Sequence, residues 1–551
     1  MDNELDKFFP RPVTRQLGLV TSGSLSKGLE VKLHADAPVE DMAVGRYVII
    51  EGNQLRFFGM VTDVALDNIN PQFEKTPPDV NDPFLRAVYA GMSTFGRIHV
   101  SPMLVLDERA DEPRPVKTIP SHFSLVRVAT EEDVNQVFGE EDESHFHIGE
   151  PLDMEDVRVN LDLARMVERS VGVFGKAGTG KSFLTRLLLS GVIQRRVAVA
   201  LIFDMHNDYG WEIQSENKGK VKGLRQLFQQ QVAIFTLDEE SSRRRRAPHD
   251  FVVKMNWKEI EPEDLETLRV TLNLSDNMIG AAYTLRRHWG ADWIRRLLTC
   301  EQTELDDLVE NSNLNRSSLD ALSRRIERLE RFEFLDERWS GDSAKKIIEY
   351  LEKGVSVVLE FGRYGNSLTA YMLVANYLTR RIHEMYVKRV EEALGDSAQE
   401  PRQLMIVIEE AHKFLDPQIA NQTIFGMIAR ELRKYNVTLL IVDQRPSGID
   451  EEIMSQIGTR VTALLDNEKD INAVLTGVAG GNALREVLAR LDTKQQALIM
   501  GHAVPMPVVI QTRSYDSDFY AAMGYQDSTT LRANRQERVN LLRGDIEDGI
   551  D

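Results

Sequence analysis

The stretch Val171–Ser182, VGVFGKAGTGKS, constrains this chain more than any other. A short apolar run enters a glycine-rich turn, then come Lys181, Ser182 and a helical-looking run, FLTRLLLSGVI. Gly175, Gly180, Lys181 and Ser182 satisfy the G-x-x-x-x-G-K-[ST] pattern between a strand and a helix. Glycines in such a turn, Gly178 among them, let backbone N–H groups face inward around phosphate oxygens. The N-terminus of the following helix adds a favourable dipole. Lys181 is expected to reach the β/γ-phosphates and the Ser182 hydroxyl to ligate Mg²⁺. Thr179 and Phe183, beside them, complete the predicted nucleotide-contacting set. The pattern predicts an α/β fold that binds a nucleoside triphosphate.

A chain of 551 residues has material for roughly three to four domains. With 42% hydrophobic and 28% charged residues it has the balance of a globular protein. No apolar run approaches the length of a membrane span. The N-terminal MDNELDKFFPRP is acidic and lacks an apolar signal core, and Cys300 is the single cysteine, which excludes an intrachain disulfide framework. These features lead to the expectation of a cytoplasmic protein without membrane attachment. A net charge of −19 argues against a surface that coats nucleic acid everywhere, but a local basic surface facing phosphates remains compatible with it.

Residues from about Leu17 to Thr130 read as short strands separated by Gly, Asn, Asp and Pro, which predicts a small β-barrel or sandwich over residues 1–130. The acidic run Glu131–Asp156 reads as a linker. His145 and His147 lie within it, and a metal site there would need further ligands that the neighbourhood does not offer. The ATPase core is expected over 157–513. VAVALIFD (Val197–Asp204) has the continuous apolarity of a buried parallel strand, and it ends in Asp204, His206, Asp208 and Tyr209, where α/β sheets bind ligands. From about residue 242 to 351 helical patterns dominate and predict an insertion. It begins with a basic loop that carries four consecutive arginines, Arg243–Arg246. Residues 514–551 read as a tail with a plausible helix in TTLRANRQERVNLLR.

After the strand VSVVLEF comes LMIVIEEAHKFL. Five apolar residues end in Glu409-Glu410, which fits a strand that delivers one carboxylate to Mg²⁺ (Glu409) and another to the attacking water (Glu410). A further buried strand, VTLLIVD, leads into Gln444, placed to sense the γ-phosphate. Arg430 and Arg433, on the helix before it, are candidates for stabilising transition-state charge in cis or in trans.

Taken together, RSVGVFGKAGTGKS, FDMHNDY, IVIEEAH, IARELRKYNVTLLIVDQRPSGI and ALIMGHAVP resemble the HerA branch of the HerA/FtsK ATPases, the bipolar DNA translocases. The resemblance implies a RecA-like P-loop core with a small N-terminal barrel and a helical insertion. It implies a homo-hexamer with ATP between subunits and double-stranded DNA through the centre, partnered by a nuclease of the NurA type or, in antiphage defence, by another effector. It also implies that Arg169 contacts nucleotide, that Gly501-His502 lies near a segment approaching it, that Gln444 is the sensor and that Arg433 is the arginine of a G-R-K segment. This chain departs from the pattern at Ser170, where histidine is common, and at Leu432 and Asn436, which replace glycines. The resulting expectation is an ATP-hydrolysing DNA translocase or helicase. The alternative is an ATP-gated ring that scaffolds a partner effector.

Overall fold

The computed structural model describes residues 15–525 apart from 70–80, 82–93, 108, 111–112, 153, 155–156, 215–218, 313, 395–399, 432–433, 479–480 and 493–494. The chain divides into two compact units. The first is built from residues up to Lys181 together with Asp443–Arg513, and the second from Ser182–Val442 with the residues after Arg513.

The first unit begins with β1 (Gln16–Ser24), β2 (Gly28–Leu33), β3 (Tyr47–Glu51), β4 (Arg56–Asn68), β5 (Thr94–Leu106), the short β6 (Arg114–Pro115) and β7 (Leu125–Val128). The sheet order β2-β1-β7-β3-β4-β5 is closed by antiparallel pairing of β2 with β5, giving a six-strand barrel. Period-two alternation makes it: Leu29, Val31 and Leu33 of β2 point into a core shared with Val20, Val48, Ile50, Phe57, Val61 and Ile98.

Residues 131–152, most of the acidic stretch expected to be a linker, include a helix and a strand. Thr130 caps helix α1 (Glu131–Phe138) in a reciprocal capping box with Asp133, so the acids Glu131–Asp133 form a first turn, where the helix dipole favours them. Arg127 donates to both carboxylate oxygens of buried Asp133, at 2.6 and 3.1 Å. His145 and His147 lie on β8 (His145–Pro151), which pairs with β9 (Val159–Asp162). His145 meets Asp142 at 3.0 Å. His147 is buried, which pulls its pKa down to about 4. β10 (Val171–Phe174) then runs into the phosphate loop.

The second unit opens with α2 (Lys181–Arg195), whose first residue ends the loop, and β11 (Val199–Asp204). A ribbon of β12 (Ile213–Gln214) and β13 (Lys220–Val221) follows, then β14 (Val232–Thr236), α3 (Glu239–Arg245) and β15 (Phe251–Val252). The arginine run, expected as a basic loop, instead ends a helix: Arg243–Arg245 form its last turn and Arg246 caps it in left-handed backbone. Arg243 pairs with Glu239 at 2.9 Å and Arg244 with Glu240, both at i,i+4, and Arg245 reaches buried Glu360. Helices between Pro262 and Glu352 pack around Trp293, Leu285, Leu319 and Ile326. The sheet resumes with β16 (Ser356–Glu360), α4 (Leu368–Glu392), β17 (Leu404–Glu409), α5 (Ile424–Glu431) and β18 (Val437–Asp443). The order is β15-β14-β16-β11-β17-β18, every neighbouring pair parallel, and β11, β14, β16, β17 and β18 are buried along their whole length. That arrangement follows from near-continuous Val/Ile/Leu runs separated by helical crossovers.

The chain returns to the first unit with β19 (Thr459–Thr462), β20 (Gln496–Gly501) and β21 (Val508–Thr512). There the order is β10-β19-β20-β21-β8-β9, parallel for β10–β19 and antiparallel beyond. The proposed tail helix lies outside the described residues.

Candidate nucleotide site

In the first unit the fully buried β10 delivers the chain to Gly175. Gly178 (φ +78°) and Gly180 (φ +91°) adopt left-handed backbone, and a Cβ at either would meet nothing within 4 Å. Glycine is therefore used here for conformation rather than for room. At Gly175 space decides instead: a Cβ would lie 2.7 Å from Thr179 Oγ1. The Lys176 carbonyl gathers the loop, accepting from Thr179 Oγ1 at 2.8 Å and from Lys181 Nζ at 3.0 Å. The Lys176 ammonium pairs with Asp466. Buried Asp443 accepts from the Arg445 backbone at 2.7 Å, shaping the turn that carries half-buried Gln444.

Arg169, Gly501 and His502 are brought together in this unit by Gly458. A Cβ on Gly458 would lie 2.5 Å from the Arg169 Cβ, and one on Gly501 (φ +110°) would lie 2.0 Å from the Gly458 carbonyl. His502 donates its backbone N–H to that carbonyl at 2.8 Å, and its ring meets Glu168 at 3.0 Å. Gly501 stands opposite Thr459, which stands opposite Val171. The group therefore lies at the end where β10 enters the sheet, while the phosphate loop leaves from the other end. Gly458 was missed by sequence reasoning; a lone glycine before a strand was its only signal.

In the second unit three adjacent parallel strands, β16, β11 and β17, end in Glu360, Asp204 and Glu409. Asp204 is in register with Glu360, and the pairing of Ile202 with Val407 sets it level with Glu409. Asp204 and Glu360 are fully buried and Glu409 nearly so. Three buried acids on strands about 5 Å apart need compensation. Glu360 has Arg245. Asp204 is pushed up to about 8, first by burial, then by Glu409, against hydrogen bonds from the backbones of Tyr209 and Asp208; Glu360 adds to the rise. Glu409 accepts from the Tyr209 hydroxyl at 2.9 Å, and its backbone N–H donates to the Tyr371 hydroxyl, also at 2.9 Å. Glu360 and Tyr371 had no signal in sequence beyond a strand-end acid and an aromatic in an apolar helix.

Glu410, the next residue, has left-handed backbone (φ 50°, ψ 45°) and is half-buried, with a carboxylate oxygen 3.6 Å from His412 Nδ1. A non-glycine residue in that region signals local strain of the kind that gathers at functional sites. The backbone turn gives two adjacent carboxylates different surroundings. Ser182 and Phe183, in the first turn of α2, are half-buried. Phe183 lies edge-on to Tyr515, with ring centroids 5.8 Å apart. Arg430, in the last turn of α5, donates to the Gly426 carbonyl at 3.3 Å. Arg433 lies outside the described residues.

Among protein families, residues 146–382 match the one described as Helicase HerA, central domain, and residues 17–88 match the HAS barrel domain. The DNA double-strand break repair helicase HerA of Sulfolobus acidocaldarius is 23% identical over 546 residues, covering 97% of this chain and 98% of that one. Its counterpart in Sulfurisphaera tokodaii is 24% identical over 483 residues, covering 86% and 88%. Among solved structures, VirB4 of Thermoanaerobacter pseudethanolicus aligns at 14% identity with a TM-score of 0.43, over 69% of this chain and 99% of that one, a likeness too low to transfer any residue's role.

Proposed function

Since the chain is a HerA-type ATPase, we propose that it hydrolyses ATP to drive movement along double-stranded DNA, as a translocase or helicase in DNA end processing. The relatives' shared name, DNA double-strand break repair helicase, supports the DNA-directed part of this reading. The observation that carries the catalytic part is the division between Glu409, buried and hydrogen-bonded, and Glu410, half-buried on left-handed backbone.

In this reading the loop backbone from Gly175 to Gly180 and Lys181 hold the phosphates, while Ser182 and Glu409 hold Mg²⁺. The donor set fits that ion. Among the described residues no group of three or more His, Cys, Asp and Glu could hold a metal by itself, and Mg²⁺ is commonly held by one or two side chains together with substrate phosphates. When bound, Mg²⁺ supplies charge neutralisation on the phosphates. Glu410 accepts the proton of the attacking water, Gln444 orients around the γ-phosphate, and Arg430 and Arg433 stabilise developing charge in cis or in trans. Arg169, Gly501 and His502 gather at the strand end opposite the phosphate loop. We therefore assign them to a nucleotide held by a neighbouring subunit in a homo-hexamer. A partner nuclease or defence effector completes the proposed assembly. Among the described residues no helix is long and apolar enough to cross a membrane.

ATPase turnover with and without duplex DNA tests the reading. Glu410→Gln is expected to retain nucleotide binding while hydrolysis falls at least about a hundredfold, and Lys181→Ala is expected to lose binding as well. Wild-type turnover in Glu410→Gln, or turnover indifferent to duplex DNA and raised only by a partner protein, would favour the scaffold alternative.

A further inference from the structure

We propose that Tyr209 is a positioning residue whose hydroxyl fixes the orientation in which the Glu409 carboxylate meets Mg²⁺. The inference rests on the assignment of Glu409 to the metal made above.

The phenol is fully buried and its hydroxyl donates to Glu409 Oε1 at 2.9 Å. Its position is fixed from several directions. The Tyr209 N–H donates to Asp204 Oδ2 at 2.9 Å, and the Asp208 N–H donates to Asp204 Oδ1 at 2.7 Å. The Tyr209 carbonyl accepts from the Leu224 backbone at 2.8 Å. From α2, Arg186 donates to the Asp208 carbonyl, with its guanidinium 6.0 Å from the Tyr209 ring centre. The hydroxyl is thus held in place by β11, by the segment at Leu224 and by the helix that begins at Lys181. Tyr371, by contrast, hydrogen-bonds the Glu409 backbone: its hydroxyl accepts from the N–H at 2.9 Å and donates to the carbonyl at 3.1 Å. One phenol sets the strand end and the other sets the side chain. A carboxylate with one oxygen pinned has lost its rotational freedom before any ion arrives, and partners of this kind raise metal affinity by orienting the ligand.

The test is a Mg²⁺ titration of nucleotide binding on the full chain, read with a fluorescent ATP analogue, so that no turnover is needed. Tyr209→Phe removes one oxygen and keeps the ring. It is expected to raise the Mg²⁺ concentration at half-maximal binding about tenfold while binding without Mg²⁺ stays within about twofold. In a Glu409→Gln background the same substitution is expected to leave the midpoint where it is, because no carboxylate remains to be oriented. A Tyr209→Phe protein that melts like wild type and keeps the wild-type midpoint overturns the proposal. Should Tyr209→Phe not fold, Arg186→Gln keeps the phenol and frees its loop. A shift of about threefold in the same direction supports the proposal, and an unchanged midpoint overturns it. Wild-type binding that ignores Mg²⁺ removes the assignment of Glu409 itself, whereas a Mg²⁺-dependent wild type with an indifferent Tyr209→Phe removes only the role of Tyr209.

Discussion

The phosphate loop and the row of strand-end acids are built on opposite principles. The loop is contiguous, spends Gly178 and Gly180 on left-handed backbone in open space, and gathers on a single carbonyl, that of Lys176. The acid row draws Asp204, Glu360 and Glu409 from strands more than two hundred residues apart at the extremes, and buries them with a cation, a proton and a phenol as compensation. A loop of the first kind can be altered with little consequence for folding. A row of the second kind ties the chemistry of the site to the stability of the sheet.

Arg245→Met tests the contrast most severely. It leaves the Glu360 carboxylate buried without its cation, and thermal or denaturant unfolding should register a loss of about 3 kcal/mol or more. A loss below about 1 kcal/mol would mean that the Arg245–Glu360 pair contributes little to the stability of the sheet. Next in size is a pH dependence. Asp204 titrates near 8 when folded and near 4 when unfolded, so the folded state binds the proton more tightly. Stability from this group is fully present below about pH 4 and is lost as pH rises towards 8, at up to about 1.4 kcal/mol per pH unit. Melting temperatures measured between pH 5 and 8.5 should fall accordingly, and Asp204→Asn should flatten the slope. Smallest is Gly178→Ala, whose Cβ meets nothing but whose φ is unfavourable. The expected stability loss is about 1 kcal/mol, with nucleotide affinity reduced in a binding titration. An equal effect from Gly178→Ala and Arg245→Met would erase the distinction between the two regions.

The same division decides what could be read in advance. Gly175–Ser182 and Glu409-Glu410 are short, ordered patterns with a direct chemical meaning, and so they stood out. Glu360 ends VSVVLEF as any strand might end, and only the neighbour order β16-β11-β17 gives it company. Composition misled where it was averaged over a window. Glu131–Asp156 is acidic overall, yet Glu131, Glu132 and Asp133 serve a helix N-terminus, Asp142 ties down the turn that follows, and β8 comes next. The arginine run taken alone reads as a basic loop, whereas Glu239 and Glu240, one helical turn before it, pair with Arg243 and Arg244. Arg169 and His502 were each singled out, but their common contact with Gly458 is a tertiary fact.

The barrel's closure has a consequence for how the protein can acquire or change associates. Once β2 pairs with β5, those strands' backbone groups are engaged with each other, and the ring of strands offers little open template for a visiting strand. Any contact made through this domain must then be written in side chains and loop tips, one residue at a time. Recognition by the barrel can drift or switch through point substitutions while the strands beneath keep their register.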